Sequence, residues 1–376
     1  MNPKLSDAGD DAEPVFWPSH APSVLLKGRG SASSLAHRFA QDAREPFDDG
    51  WAPPEPGQAA PPRTEWVWED CRSAITRNRS PDICFDRSVN PYRGCEHGCS
   101  YCYARPSHSY LGLSPGLDFE TRLIAKRGLR ERLIHELASP RYTPGLLALG
   151  TVTDAYQPLE RELRLTRDVL EVLHDCRHPL AIVTKGSGIE RDIDLLAALA
   201  SQRLVGVAVS VTTLDAELAR RMEPRAAAPW RRLRTIERLA AAGIPVGVSV
   251  SPQIPFINDD MEQVLEAARD AGARRAFYVV LRLPWELSPL FRDWLQQHFP
   301  ERAERVMARV QDLHGGRDYN ASFASRRRGQ GVWAQLIAQR FAKACERLGL
   351  NREPSRWNLQ DFRAPSRSRS RAGARR

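Results

Sequence analysis

The chain is predicted to fold as an α/β protein: a partial parallel barrel of six β/α units, with an irregular N-terminal arm and C-terminal helices. Short apolar, β-branched runs recur between amphipathic helical stretches over about residues 63–284. The runs are apolar throughout, as strands of a parallel sheet covered by helices require. The count stops near six, two repeats short of a closed eight-unit barrel.

Residues 1–62 are rich in Pro, Ala, Gly and Asp and read as a largely irregular arm, with "VLLKGRGSASSLAHRF" as a segment that packs on the main domain. Order is expected from "TEWVWEDCRSAITRN" onward, with a short strand ahead of a cysteine-rich loop. "GLLALGTVTD" is the second strand, and the helix after it places Leu163, Val169, Leu170 and Leu173 on one face. "PLAIVTKG" and "IERDIDLLAALAS" form the third unit. "LVGVAVSVTT" and "PWRRLRTIERLAAAG" form the fourth, closed by Gly243. "IPVGVSVSPQIP" and "DMEQVLEAARDAG" form the fifth, and "RRAFYVVLRLP" is the sixth strand. Beyond Pro284 the pattern turns helical over 285–362, interrupted by the Gly- and Arg-rich loop from Gly315 to Gly331. Residues 363–376 form a basic, low-complexity tail expected to be disordered.

The net charge of +9 suggests a polyanionic partner, but its distribution tempers that. The tail holds six arginines and no acid, so 55 − 6 = 49 basic residues face 46 acidic ones elsewhere, a surplus of only +3. No apolar run is long enough to span a bilayer, and the acidic, polar N-terminus is unlike a signal peptide. The seven cysteines do not form a disulfide framework, which points to a reducing cytoplasm.

Three of those cysteines lie in "NPYRGCEHGCSYCYAR", at Cys95, Cys99 and Cys102, spaced C-x3-C-x2-C. Three thiolates on one tight loop can hold three corners of an iron–sulfur cube. Gly94 and Gly98 let the loop curl. Zinc is the rival metal and requires a fourth ligand, either His97 or one of the scattered cysteines Cys71, Cys84, Cys176 and Cys345. His97 shares the short loop with the thiols and is poorly placed to close a cage. Glu96 and His97 read as solvated loop residues.

The spacing, with Tyr101 just before the third cysteine, resembles the signature of radical S-adenosylmethionine (SAM) enzymes. Further stretches, "GTVTDAYQPLE", "VTKG", "MEPR" and "SPQIPFIND", are similar to the spore photoproduct lyase-like subset of that superfamily, as is "KGRG" at 27–30 to an uncharacterised bacterial group within it. The resemblance implies a partial (β/α)6 barrel. It also implies a [4Fe–4S] cluster on Cys95, Cys99 and Cys102, with one open iron chelated by SAM. An electron donor such as flavodoxin or ferredoxin follows, and so does cleavage of SAM to a 5'-deoxyadenosyl radical. Candidate SAM-binding residues sit where strands end. Thr151, Thr153 and Asp154 follow the second strand, with Asp154 placed for the SAM ammonium. Thr184 and Lys185 follow the third, and Ser210 and Thr212 the fourth. Ser251 and Gln253 follow the fifth, and Leu281 and Leu283 end the sixth, positioned to pack on adenine. Arg225 offers a second cation, and Tyr101 a packing or cofactor contact.

The substrate is less legible. Spore photoproduct lyase returns hydrogen through a cysteine downstream of its cluster. This chain has none between Cys102 and Cys176, and Cys176 ends a helix at the wrong end of its β/α unit. Arg326, Arg327 and Arg328 offer a grip on phosphates, so a nucleic acid joins peptides and small molecules as a candidate substrate. Two non-enzymatic readings stand beside the enzyme: an iron–sulfur electron carrier, and a zinc-stabilised nucleic-acid-binding module.

Overall fold

The computed structural model describes residues 26, 28–31, 34–40, 63–354 and 356–366. Most of the N-terminal arm, and the tail from 367, lie outside the described residues.

Among the described residues ten strands form two sheets: β1 (Glu65–Asp70), β2 (Ile75–Arg77), β3 (Arg87–Val89), β4 (Tyr92–Arg93), β5 (Arg122–Arg127), β6 (Leu147–Leu149), β7 (Leu180–Thr184), β8 (Val205–Ser210), β9 (Val246–Ser249) and β10 (Arg275–Phe277). The larger sheet runs β10-β9-β8-β7-β6-β3-β2. Its strands β3 and β6 to β10 pair in parallel, and β2 lies antiparallel on the edge. This is the expected six-strand partial barrel.

Leu147, Leu149, Leu180, Ile182, Val207, Val209 and Val248 are buried in the sheet. The covering helices are α1 (Leu129–Leu137), α2 (Leu165–Asp175), α3 (Ile193–Ser201), α4 (Pro229–Ala241) and α5 (Met261–Asp270). Each inserts an apolar stripe, such as Leu170 and Leu173 of α2 or Ile236 and Leu239 of α4, into the same core.

Two strands are shorter than their sequences suggest. β6 stops at Gly150, whose φ of 81° turns the chain; a Cβ there would sit 2.1 Å from the Val183 carbonyl oxygen. β10 stops at Phe277, and only an isolated bridge from Val280 to Gln253 continues the pairing. Its neighbour carries Pro252 and Pro255, which lack the amides a longer ladder needs.

The smaller sheet, β1-β5-β4, has no counterpart in the sequence reading. β4 is two residues long and β1 is largely exposed, so neither leaves a clear apolar pattern. Yet β4 runs straight into the cysteine loop and fixes where that loop begins.

The C-terminal helices are α6 (Leu287–His298), α7 (Ala303–Leu313) and α8 (Gly331–Leu348). Of these, α8 shares the barrel's core. α6 and α7 pack Phe291, Trp294, Val306 and Val310 into one cluster with Cys99, Tyr101 and Leu281. In α8, Phe341 packs on Tyr278 at 4.8 Å. The loop between α7 and α8 bridges the two edges of the sheet. The Val280 amide donates to the Arg327 carbonyl at 3.0 Å on the β10 side. Arg326 grips Asp82, in the β2–β3 connection, on the other. Among the described residues no helix is long and apolar enough to cross a membrane.

Candidate active site at the cysteine loop

The loop is held by its own backbone and by three ion pairs whose carboxylates are buried. Its Cys95 amide donates to the Phe119 carbonyl at 2.8 Å, and the Cys102 amide to the Cys99 carbonyl at 3.3 Å. Gly94 and Gly98 have φ of 79° and 64°, a region other residues rarely enter. Cys95 and Cys99 are buried and Cys102 is half-buried.

The first ion pair is Arg105 with Glu120, at 2.9 Å, both fully buried. Arg105 also donates to the Cys99 carbonyl at 2.8 Å and so ties the loop to the short helix that carries Glu120. Glu120 in turn accepts the amides of Gly30 and Ser31, each at 3.0 Å. The "GRG" segment thus lies as a strap against the loop. A Cβ on Gly30 would fall 1.5 Å from the Gly98 carbonyl oxygen, so only glycine permits this approach. Further along, Arg38 binds Glu286 at 2.7 Å and secures the strap to the start of α6.

The second pair corrects the expectation that Glu96 and His97 are solvated. Both are buried. Glu96 meets Arg225 at 3.0 Å and accepts the Leu159 amide at 2.7 Å. Arg225 is therefore engaged with the loop and with the Thr64 hydroxyl. His97 Nδ1 lies 3.3 Å from Asp154. The carboxylate of Asp154 also accepts the Thr184 hydroxyl at 2.6 Å, the Lys185 amide at 2.7 Å and the Tyr156 amide at 2.8 Å. Burial would raise its pKa, but His97 and these donors hold it well below the usual carboxylate range. Asp154 braces the end of β7 against the cysteine loop.

The third pair escaped the sequence reading. Glu223, in the same "MEPR" as Arg225, is buried with Arg232 of α4. Its carboxylate accepts the Thr212 hydroxyl at 2.6 Å and the Tyr101 hydroxyl. Burial pushes Glu223 up, but Arg232 and Lys185 outweigh it and bring it to about 2. Arg232 also donates to the Ser210 carbonyl at 3.0 Å, fixing the end of β8. The only signal in the sequence was an acid two residues before Arg225 and a basic residue nine further on; that spacing matches no local motif.

Lys185 lies among these groups. Its Nζ sits 5.6 Å from the Tyr101 ring centroid. Burial alone would lower its pKa, but the neighbouring Cys99 and Glu223 outweigh that and hold it above the ordinary lysine value. Of the other rim residues, Thr153 and Ser210 are buried, and Leu281 and Leu283 pack in the cluster with Cys99 and Tyr101. Tyr103, next to Cys102, donates its hydroxyl to the Thr151 carbonyl.

The donor set fits an iron–sulfur cluster with SAM. Three thiols share one buried loop, and a lysine held charged beside Cys99 offsets the negative charge of thiolate ligands. The hydroxyls of Ser100 and Ser251 are buried without a hydrogen-bond partner among the described residues, one in the loop and one after β9. No group of three or more His, Cys, Asp or Glu among the described residues converges as a single metal ion would require.

A parallel β/α barrel with a three-thiol loop at the C-terminal end of its strands defines a class of cofactor-dependent enzyme. The family model for the radical SAM superfamily matches residues 89–268. An uncharacterised protein of Mycobacterium tuberculosis is 38% identical over 241 residues, covering 62% of this chain and 70% of the relative. One from Methanocaldococcus jannaschii is 27% identical over 218 residues, covering 58% of this chain and 78% of the relative. A solved structure of spore photoproduct lyase shares the fold, with a TM-score of 0.50 and 13% identity across 76% of this chain and 80% of that one. The chain belongs to the radical SAM superfamily. Membership implies an enzyme that uses a [4Fe–4S] cluster and SAM.

Proposed function

We propose that Cys95, Cys99 and Cys102 each hold one iron of the [4Fe–4S] cluster, and that the fourth iron is left for SAM. The observation that carries this reading is the loop itself: two buried thiols and a half-buried third beside a buried cation. When bound, the cluster and SAM supply reductive cleavage to methionine and a 5'-deoxyadenosyl radical, which abstracts hydrogen from the substrate.

The chain's residues position and shield. Lys185 and the Glu223–Arg232 pair set the electrostatics beside Cys99 and fix the Tyr101 ring. Asp154 acts from behind, holding Thr184 and the Lys185 backbone so that this side chain meets the loop. Thr153, Ser210 and the unpartnered Ser251 form the polar rim for the amino-acid and ribose parts of SAM. Leu281, Leu283 and the α6 aromatics keep water from the loop's far side. The electron comes from a donor such as flavodoxin or ferredoxin. None of the seven cysteines is paired in a disulfide, which suits a reducing cytoplasm.

The test is anaerobic incubation of the cluster-loaded protein with SAM and dithionite. Formation of 5'-deoxyadenosine and methionine is expected. Intact SAM over a reduced cluster would leave an electron carrier as the better reading.

A further inference from the structure

Where the α7–α8 loop closes the side of the barrel, three guanidiniums gather near a single carboxylate, and one of them pairs with it. Arg326 takes both oxygens of Asp82, each at 2.7 Å, and so neutralises it. Arg327 reaches only the Asp82 backbone carbonyl. Arg282 has no hydrogen bond or ion pair with any described residue; its guanidinium lies 4.1 Å from the centroid of the Tyr103 ring. The nearby ionisable groups do not offset this. Asp318 is occupied by Arg292 at 2.7 Å, Ser288 and Gln311. His314 donates its Nε2–H to the Leu281 carbonyl at 2.7 Å, and burial lowers its pKa. The lip therefore carries three positive charges against one negative, a surplus of +2.

That arrangement costs the fold something. Burial and the neighbouring Arg282 both lower the pKa of Arg327, as two crowded like charges should. Among the described residues the one acid that offsets Arg327 is Asp82, and both oxygens of that carboxylate are already taken by Arg326. The location of the lip is informative. Tyr103 follows Cys102 directly, and its hydroxyl is anchored on Thr151. Arg282 lies between Leu281 and Leu283, which pack beside Cys99. A ligand on these two guanidiniums is held at the edge of the mouth, beside the cysteine loop, in a fork geometry suited to tetrahedral oxyanions.

We propose that Arg282 and Arg327 receive a phosphate ester of the substrate. A phosphate monoester carries about −1.5 to −2 at pH 7, which matches the surplus. This deepens the radical SAM reading and rests on it for the identity of the site. The phosphate has two sources, a small monoester or two neighbouring phosphodiesters of a single strand, each carrying about −1, and the probes separate them.

Binding of phenyl phosphate and of a short single-stranded DNA is measured by anaerobic calorimetry on the full-length, cluster-loaded protein. Arg282→Gln and Arg327→Gln are each expected to weaken phosphate binding by roughly tenfold or more. Lys343→Gln, on the exposed face of α8, should change it less than about twofold. A strand as the source shows tighter binding of the DNA than of phenyl phosphate, falling steeply with salt; a monoester source shows the reverse order. Arg282→Lys, which keeps the charge but not the fork, should fall between wild type and Arg282→Gln and guards against a folding artefact. Absence of binding to the wild type, or glutamine variants that bind like it, would overturn the proposal. SAM cleavage is assayed on the same samples. Cleavage without phosphate binding sinks this proposal alone, and binding without cleavage sinks the radical SAM mechanism alone.

Discussion

Cys99→Ala yields protein without iron or acid-labile sulfide after anaerobic reconstitution, while Cys176→Ala yields protein as rich in both as the wild type. Both cysteines are buried, so burial alone does not separate them. Position does. Cys99 shares its loop with Cys95 and Cys102. Cys176 caps the C-terminal end of α2, where its carbonyl accepts the Arg363 amide at 2.8 Å. With the proposed ligand set, removing one of three thiolates leaves two corners of the cube, too few to retain it against exchange. The effect should be near-complete loss for Cys99→Ala, read by iron and sulfide analysis. Loss of iron from Cys176→Ala would place the ligands elsewhere.

Arg232→Met is expected to destabilise the protein by about 3–5 kcal/mol, because it strands the Glu223 carboxylate in a fully buried site. Removing both charges together, in the Glu223→Gln/Arg232→Met double variant, should recover much of that loss, since the uncompensated charge is then gone. Denaturant unfolding measures both. If the single variant unfolds like the wild type, Glu223 has another partner or is protonated. The same variant should loosen Tyr101 and the end of β8, because Glu223 accepts the Tyr101 hydroxyl and Arg232 donates to Ser210.

The barrel was legible because its signal is local. Each strand is a short apolar run, and each helix carries its own stripe, so Leu147, Ile182 and Val248 announce themselves without knowledge of their neighbours. The three cysteines were legible for the same reason, as a spacing within eight residues. What the sequence hid is pairing across distance. Glu96 with Arg225, His97 with Asp154, and Glu120 with Arg105 and the strap join residues that only the fold brings together. A charged residue in a loop looks solvated until its partner is known, which is why Glu96 and His97 were misplaced. The basic loop at 315–331 shows a related limit: its arginines looked alike in sequence, yet Arg326 is neutralised by Asp82 while Arg327 is not.

The most direct test of the central claim, that the fourth iron is left open for SAM, is the electron paramagnetic resonance spectrum of the reduced cluster with and without SAM. The g-values should shift when SAM is added, and SAM labelled with nitrogen-15 at its amino group should introduce a hyperfine coupling from that nucleus. Identical spectra with and without SAM, in a protein whose cluster is fully loaded and reduced, would mean that the fourth iron is closed by the chain itself.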